Sequence, residues 1–292
     1  MKRARIAGLV ALFVFLSSSP CAFAGQYLFG LSDDGKIHQV NLTSFLDTVV
    51  FDTGLTGLLN GAAWDDVNGR LFYRSPQDGN LYFWTRASNT QRVLAGQALP
   101  GLNANASFYA GAYWYVEDGT DTLVRATMDF SLPNLPLVAN VDTFANFDGS
   151  ALTTFSFGDI AITKTGVLYG SSNYGLFSSI ISGPTPAQIR ILSPAFAVRQ
   201  ISLDPTNSFL YSQDYNTGKW FTSDLNGNET PLFSAPNVQF TSTGLRDLGS
   251  TLLTPQDVTL PEPAVWQSLG LGLGAMGLFG YRRKRGDRNA KV

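Results

Sequence analysis

The sequence predicts an all-β chain folded as a β-propeller, with five four-stranded blades. Three observations predict it. A unit of short apolar-aromatic strands and Gly/Asp/Asn turns recurs at about 40–50 residues, the period of four-stranded blades. No long segment carries a 3.6-residue apolar period, so helices should be almost absent from the body. The chain is 13% aromatic and 14% charged with 29 glycines, which suits many short strands joined by tight turns.

Residues 1–24 read as a signal peptide. Lys2, Arg3 and Arg5 form a basic start, and Ile6 to Leu16 an apolar core too short to span a bilayer. Ala22-Phe23-Ala24 is a small-residue cleavage site, so the mature chain should begin near Gly25. Pro20 stands before Cys21 where a lipoprotein would carry a small residue.

The body, residues 25–250, starts out of phase with the repeat. Gln26–Gly30 looks like a second strand, Lys36–Val40 like a third and Thr48–Phe51 like a fourth. The clearest full unit follows: Gly61–Asp65, Arg70–Tyr73, the turn Gln77–Asn80, Leu81–Trp84 and Gln91–Leu94. A weaker unit spans 104–142, with strands at Ser107–Tyr109, Ala112–Val116, Thr122–Arg125 and Leu137-Val138. The next has Gly158–Ile162, Val167–Gly170, Leu176-Phe177 and Ile189–Leu192. The last has Arg199–Asp204, Phe209–Tyr211, Lys219–Phe221 and Pro231–Phe233. Thr243–Leu248 should supply the missing first strand beside Gln26–Gly30. Closing the ring with both chain ends removes a free sheet edge that would invite aggregation. Six shorter blades or an irregular β-sandwich would also accommodate these strands. The repeat resembles the broad bacterial propeller superfamily, with its quinoprotein-like and NHL-like members, in architecture only.

Residues 251–260 read as a linker. Pro261-Glu262-Pro263 then precedes an uncharged Gly/Leu-rich run, Ala264 to Tyr281, and the basic cluster Arg282, Arg283, Lys284 and Arg285. As a hydrophobic helix those 18 residues reach about 27 Å, just short of a bilayer core of about 30 Å. The basic cluster should stop transfer, and with the end of the chain, 286–292, stay cytoplasmic, leaving the body outside. Acidic Pro-Glu-Pro, apolar run and basic stop, in that order over 261–285, resemble the PEP-CTERM family of bacterial sorting signals. The resemblance implies an exosortase-type membrane transpeptidase as partner. It also implies export to the envelope, surface or extracellular matrix of a Gram-negative bacterium. A plain single-pass anchor is the other reading of the same residues.

Charge and composition exclude several functions. Residues 25–260 hold 11 Lys/Arg against 20 Asp/Glu, a net of −9. A nucleic-acid surface needs a basic footprint, so no nucleic-acid partner is expected. Cys21, the one cysteine, leaves with the signal peptide, and the mature body has no disulfide or thiolate chemistry. A Ser-His-Asp triad would need the one histidine, His38, which reads as a strand-surface residue after a turn. No catalytic constellation emerges, and no cofactor is required.

The remaining candidate is a carboxylate site. Lactonase-like propeller hydrolases hold a divalent ion on the ring axis with acidic and amide side chains. Asp65, Asp66 and Asp204 sit at strand ends, where Asp serves turns. Asp159 and Asp247 fall within first strands and face the channel, so they are the candidate ligands for an axial metal such as Ca²⁺. Trp64, Trp84, Trp114 and Trp220 lie in strands and serve inter-blade packing or a carbohydrate-stacking surface. These features together predict a non-catalytic surface or matrix protein that binds carbohydrate or matrix polymer. The alternative is a propeller hydrolase or lyase with an axial metal.

Overall fold

The computed structural model describes residues 27–42, 46–101, 103–117, 120, 122–132, 135–144, 157–183, 189–204, 206–232 and 245–249. The residues read from sequence as signal peptide, linker, sorting motif and basic cluster lie outside them, as does the expected C-terminal helix. Among the described residues no helix is long and apolar enough to cross a membrane.

Five sheets, antiparallel but for one short edge strand, form a propeller. The first contains β1 (Tyr27–Ser32), β2 (Lys36–Asn41) and β3 (Leu46–Asp52). Its inner strand comes from the far end of the body, β21 (Leu245–Leu248), which pairs with β1. Strands from both ends therefore close one blade, as the out-of-phase start requires. The second blade is β4 (Asn60–Asp65), β5 (Arg70–Arg74), β6 (Leu81–Thr85) and β7 (Thr90–Val93). The fourth is β13 (Phe157–Ile162), β14 (Val167–Ser172), β15 (Gly175–Ile180) and β16 (Arg190–Ser193). The fifth is β17 (Gln200–Leu203), β18 (Phe209–Gln213), β19 (Trp220–Asp224) and β20 (Glu229–Pro231).

The third blade departs from expectation. Its four strands are β9 (Asn103–Tyr109), β10 (Ala112–Glu117), β11 (Thr122–Asp129) and β12 (Leu137–Thr143). A two-residue strand, β8 (Ala95–Gly96), adds a fifth, parallel to β12 on the outer edge. The inner strand begins at Asn103 rather than Ser107. Asn103-Ala104-Asn105 has no apolar alternation to betray a strand, and pairing with β10 holds it extended.

Alternation along each strand explains the packing. Successive side chains point to opposite faces of a blade, so each blade supplies both neighbours. In β5, Leu71 and Tyr73 face the first blade and join Phe29, Leu31 and Ile37, while Phe72 faces the third and joins Tyr113 and Tyr115. Trp114 and Val116 meet Ile160 and Leu168 at the next interface. Ala161 and Leu176 meet Ile201 and Leu210, and Tyr211 and Trp220 meet Leu28 and Val40. Each side chain of this size buried is worth about 1.5–3 kcal/mol. The five interfaces together are the core.

The inner strands touch in the order β4, β9, β13, β17, β21 and back to β4, which closes the ring. Gly158 shows how close they come. A Cβ there would lie 2.2 Å from the Arg199 carbonyl oxygen and 2.3 Å from Ser171 Oγ.

Candidate functional site at the ring axis

Four of the five inner strands carry a register irregularity at one level of the ring. It falls between Asn60 and Ala63, opposite Tyr115 to Glu117, between Phe157 and Ile160, and opposite Leu31 to Ser32. Bulges re-aim side chains and leave ladder groups unpaired. Buried backbone groups need partners, so side chains of the adjacent blade supply them. Ser107 Oγ accepts from Ile162 N at 3.1 Å, the Tyr113 hydroxyl donates to Gly61 O at 2.7 Å, and Ser202 Oγ donates to Gly249 O at 2.8 Å.

Asp159 and Asp247 belong to this stitching. Asp159 Oδ1 accepts from Ile160 N at 2.7 Å, and Oδ2 from Ile201 N of the next blade at 3.2 Å. Asp247 Oδ1 accepts from Leu248 N at 2.9 Å, and Oδ2 from Ala62 N of the next blade at 2.9 Å. Both are fully buried, and the two carboxyls are hydrogen-bonded to each other. The structure thus unites the two residues singled out from sequence, from blades that are not adjacent. Burial first, then the charge of Asp247, raises the pKa of Asp159 well above the usual carboxylate range. Burial pushes Asp247 up to about 7, with the Ala62, Gly61 and Leu248 amides and Asp159 opposing the rise.

This arrangement suits a shared proton better than a metal. Ca²⁺ takes six to eight oxygens, whereas each oxygen here already faces an amide N–H. Among the described residues no group of three His, Cys, Asp or Glu could hold a metal. Asn105 Nδ2, fully buried on β9 beside that strand's irregularity, has no hydrogen-bond partner.

A cavity of about 550 Å³ opens where the inner strands end. Trp64, Phe108, Ile162 and Leu203, at matching places on four inner strands, line it together with Asp65, Asp66, Tyr109, Lys164, Asp204 and Asn207. Trp64 is 1% exposed, and its buried indole N–H has no hydrogen-bond partner. Asp65 and Asp204 serve turns. Asp65 accepts from Val67 N at 3.1 Å and Asn68 Nδ2 at 2.7 Å; Asp204 accepts from Thr206 N at 2.8 Å and Phe209 N at 2.9 Å. Trp64, Trp84, Trp114 and Trp220 are all buried in inter-blade cores.

His38 is not on the strand surface. Its ring lies between Asp47 and Ser32 and is 12% exposed. The sequence supplies the histidine; strand register alone reveals its partners.

No family model and no curated protein matches the chain. Solved structures do. A chain of a nidogen/laminin complex aligns with a TM-score of 0.51 at 14% identity, over 79% of this chain and 99% of that one. An auxiliary nutrient binding protein from Bacteroides thetaiotaomicron VPI-5482 aligns at 0.49 and 13%, over 77% of this chain and 58% of that one. TolB from Acinetobacter baumannii aligns at 0.45 and 15%, over 79% and 59%. At these identities the first likeness shows the fold alone, and the other two carry no argument.

Proposed function

We propose that this protein is an exported, surface- or matrix-associated binding and structural propeller, non-catalytic at its axial cavity and sorted by its C-terminal tail. The observation that carries the binding role is the cavity itself. It is concave, with an aromatic-aliphatic floor and a polar rim. Aromatic faces stack on sugar rings, and the half-buried Phe108 and Tyr109 line the cavity wall. A carbohydrate or matrix polymer is therefore the proposed ligand. The net charge of −9 over residues 25–260 supports this over nucleic acid.

The secreted protein should be screened by calorimetry against glycans and the producer's own matrix polymer. Tyr109→Ala removes an aromatic face from the cavity wall and should weaken binding by up to about tenfold, the value of one aromatic stacking contact. Absence of binding to every glycan would remove the carbohydrate reading. Tail sorting has its own measurement. The intact mass of the exported product should show loss of the segment after about Pro263; retained Arg282 to Arg285 would mean a plain anchor.

One observation favours a hydrolase or lyase with an axial metal: Asp159 and Asp247 meet. Calorimetry with Ca²⁺, Mg²⁺ and Mn²⁺, before and after Asp159→Ala, tests it. Failure of any of these ions to stabilise the protein ends that reading.

A further inference from the structure

The first blade holds an arrangement that neither the cavity nor ring closure uses. Ser32 ends β1, His38 lies on β2 and Asp47 on β3. Gly30 pairs with His38 and Val40 with Asp47, so alternation puts all three side chains on one face of the blade. His38 Nδ1 is 2.9 and 3.0 Å from the two Asp47 oxygens, and Nε2 is 3.0 Å from Ser32 Oγ. Side-chain exposure is 12% for His38 and 4% for Asp47, while Ser32 is half-buried and within reach of solvent.

A carboxylate on Nδ1 holds that nitrogen protonated and turns the Nε2 lone pair toward the hydroxyl. We propose that Ser32 is a nucleophile activated by His38 as general base, with Asp47 as positioning residue, in an acyl-transfer site for uncharged carboxylic esters. The Oγ–acyl carbon bond forms as Nε2 takes the hydroxyl proton. The bond to the leaving alcohol then breaks, and the departing oxygen takes that proton from His38. Water cleaves the acyl-serine by the same route and restores the hydroxyl. Around Ser32 the three carboxylates of Asp33, Asp34 and Asp47 face only two fixed cations, Lys36 and Arg246, a net negative balance that disfavours acyl donors bearing carboxylates.

Two neighbours shape the site. Ser32 Oγ also donates to Asp34 Oδ1 at 2.5 Å, and Asp34 is exposed and paired with Lys36. Reaction needs only a turn of the hydroxyl hydrogen from Asp34 to Nε2, about the Cβ–Oγ bond. The turn after Ser32 is clasped to other elements: Asp33 accepts from Arg246 Nε at 2.8 Å and from the Tyr215 hydroxyl at 2.5 Å. Such support holds a nucleophile in place.

The test is covalent labelling of the full exported protein with a neutral alkyl fluorophosphonate, mapped by peptide mass. The folded protein should carry its adduct on Ser32, and heat-unfolded protein should carry none there. His38→Gln should slow labelling at least about 100-fold, the usual value of a positioned base. Asp47→Asn should slow it comparably while the melting curve stays in place, an effect that a packing role would not produce. A folded wild type unlabelled at Ser32 overturns the proposal. So does equal labelling of folded His38→Gln or Asp47→Asn.

Discussion

Asp247→Asn should flatten the ring's stability between about pH 4 and pH 7. In the folded protein, burial holds Asp247 at about 7; in the unfolded chain its pKa is about 4. The fold therefore favours the protonated acid. That preference stabilises fully below about pH 4 and is lost as pH rises through 7, because the unfolded chain releases its proton first. A difference of about 3 in pKa, at 1.36 kcal/mol each, makes the loss about 4 kcal/mol. Asparagine does not titrate. Its amide keeps one acceptor oxygen, so either Ala62 N or Leu248 N loses its partner, at about 1–2 kcal/mol at all pH values. The variant should be weaker than wild type at pH 4 and stronger at pH 7, with the curves crossing near pH 5 by the same arithmetic. Urea unfolding of both proteins at steps from pH 4 to pH 8 measures this; buried Asp159 still titrates in the variant, without the Asp247 charge that helps raise it, so the slope falls but does not vanish. Parallel curves, offset by a constant, would refute the reasoning and show that the axial carboxyls do not share a proton.

Further outcomes follow from the packing. Phe72 is fully buried between the second and third blades and stacks on Phe108 at 5.2 Å, so Phe72→Ala should cost about 3–5 kcal/mol in chemical unfolding. Gly158→Ala drives a methyl into the Arg199 backbone and should cost about 1–3 kcal/mol or more, read as a lower melting temperature. Arg246→Ala removes an ion pair whose side chains are 27% and 47% exposed, and should change stability by under about 1 kcal/mol.

Much of the fold was legible because blade strands are short, apolar and punctuated. Arg70–Tyr73, Leu81–Trp84 and Val167–Gly170 announce themselves by aromatic and β-branched runs between Gly/Asp turns, and the strands form there. Where the signal is polar it fades. Asn103–Asn105 and the two-residue β8 carry no hydrophobic period, and only pairing with neighbours defines them. The axial residues were half legible. An aspartate inside a first strand is out of place on propensity grounds, which singled out Asp159 and Asp247. Their mutual hydrogen bond, and the amides each one caps, belong to blades brought together by ring closure.

By itself, the chain's local chemistry determined the strand class, the blade period, the closing partner of the first strand and the acidic character of the body. Those properties depend on neighbours in sequence, where side-chain alternation and turn residues act. The tertiary structure alone decided which carboxyls meet at the ring axis, which aromatic side chains line the cavity and which serine and aspartate flank His38. A shift of register between Ile37 and His38 reaches that last trio. Register is fixed by pairing and burial across the sheet, and a change of one residue would turn those side chains to the opposite face.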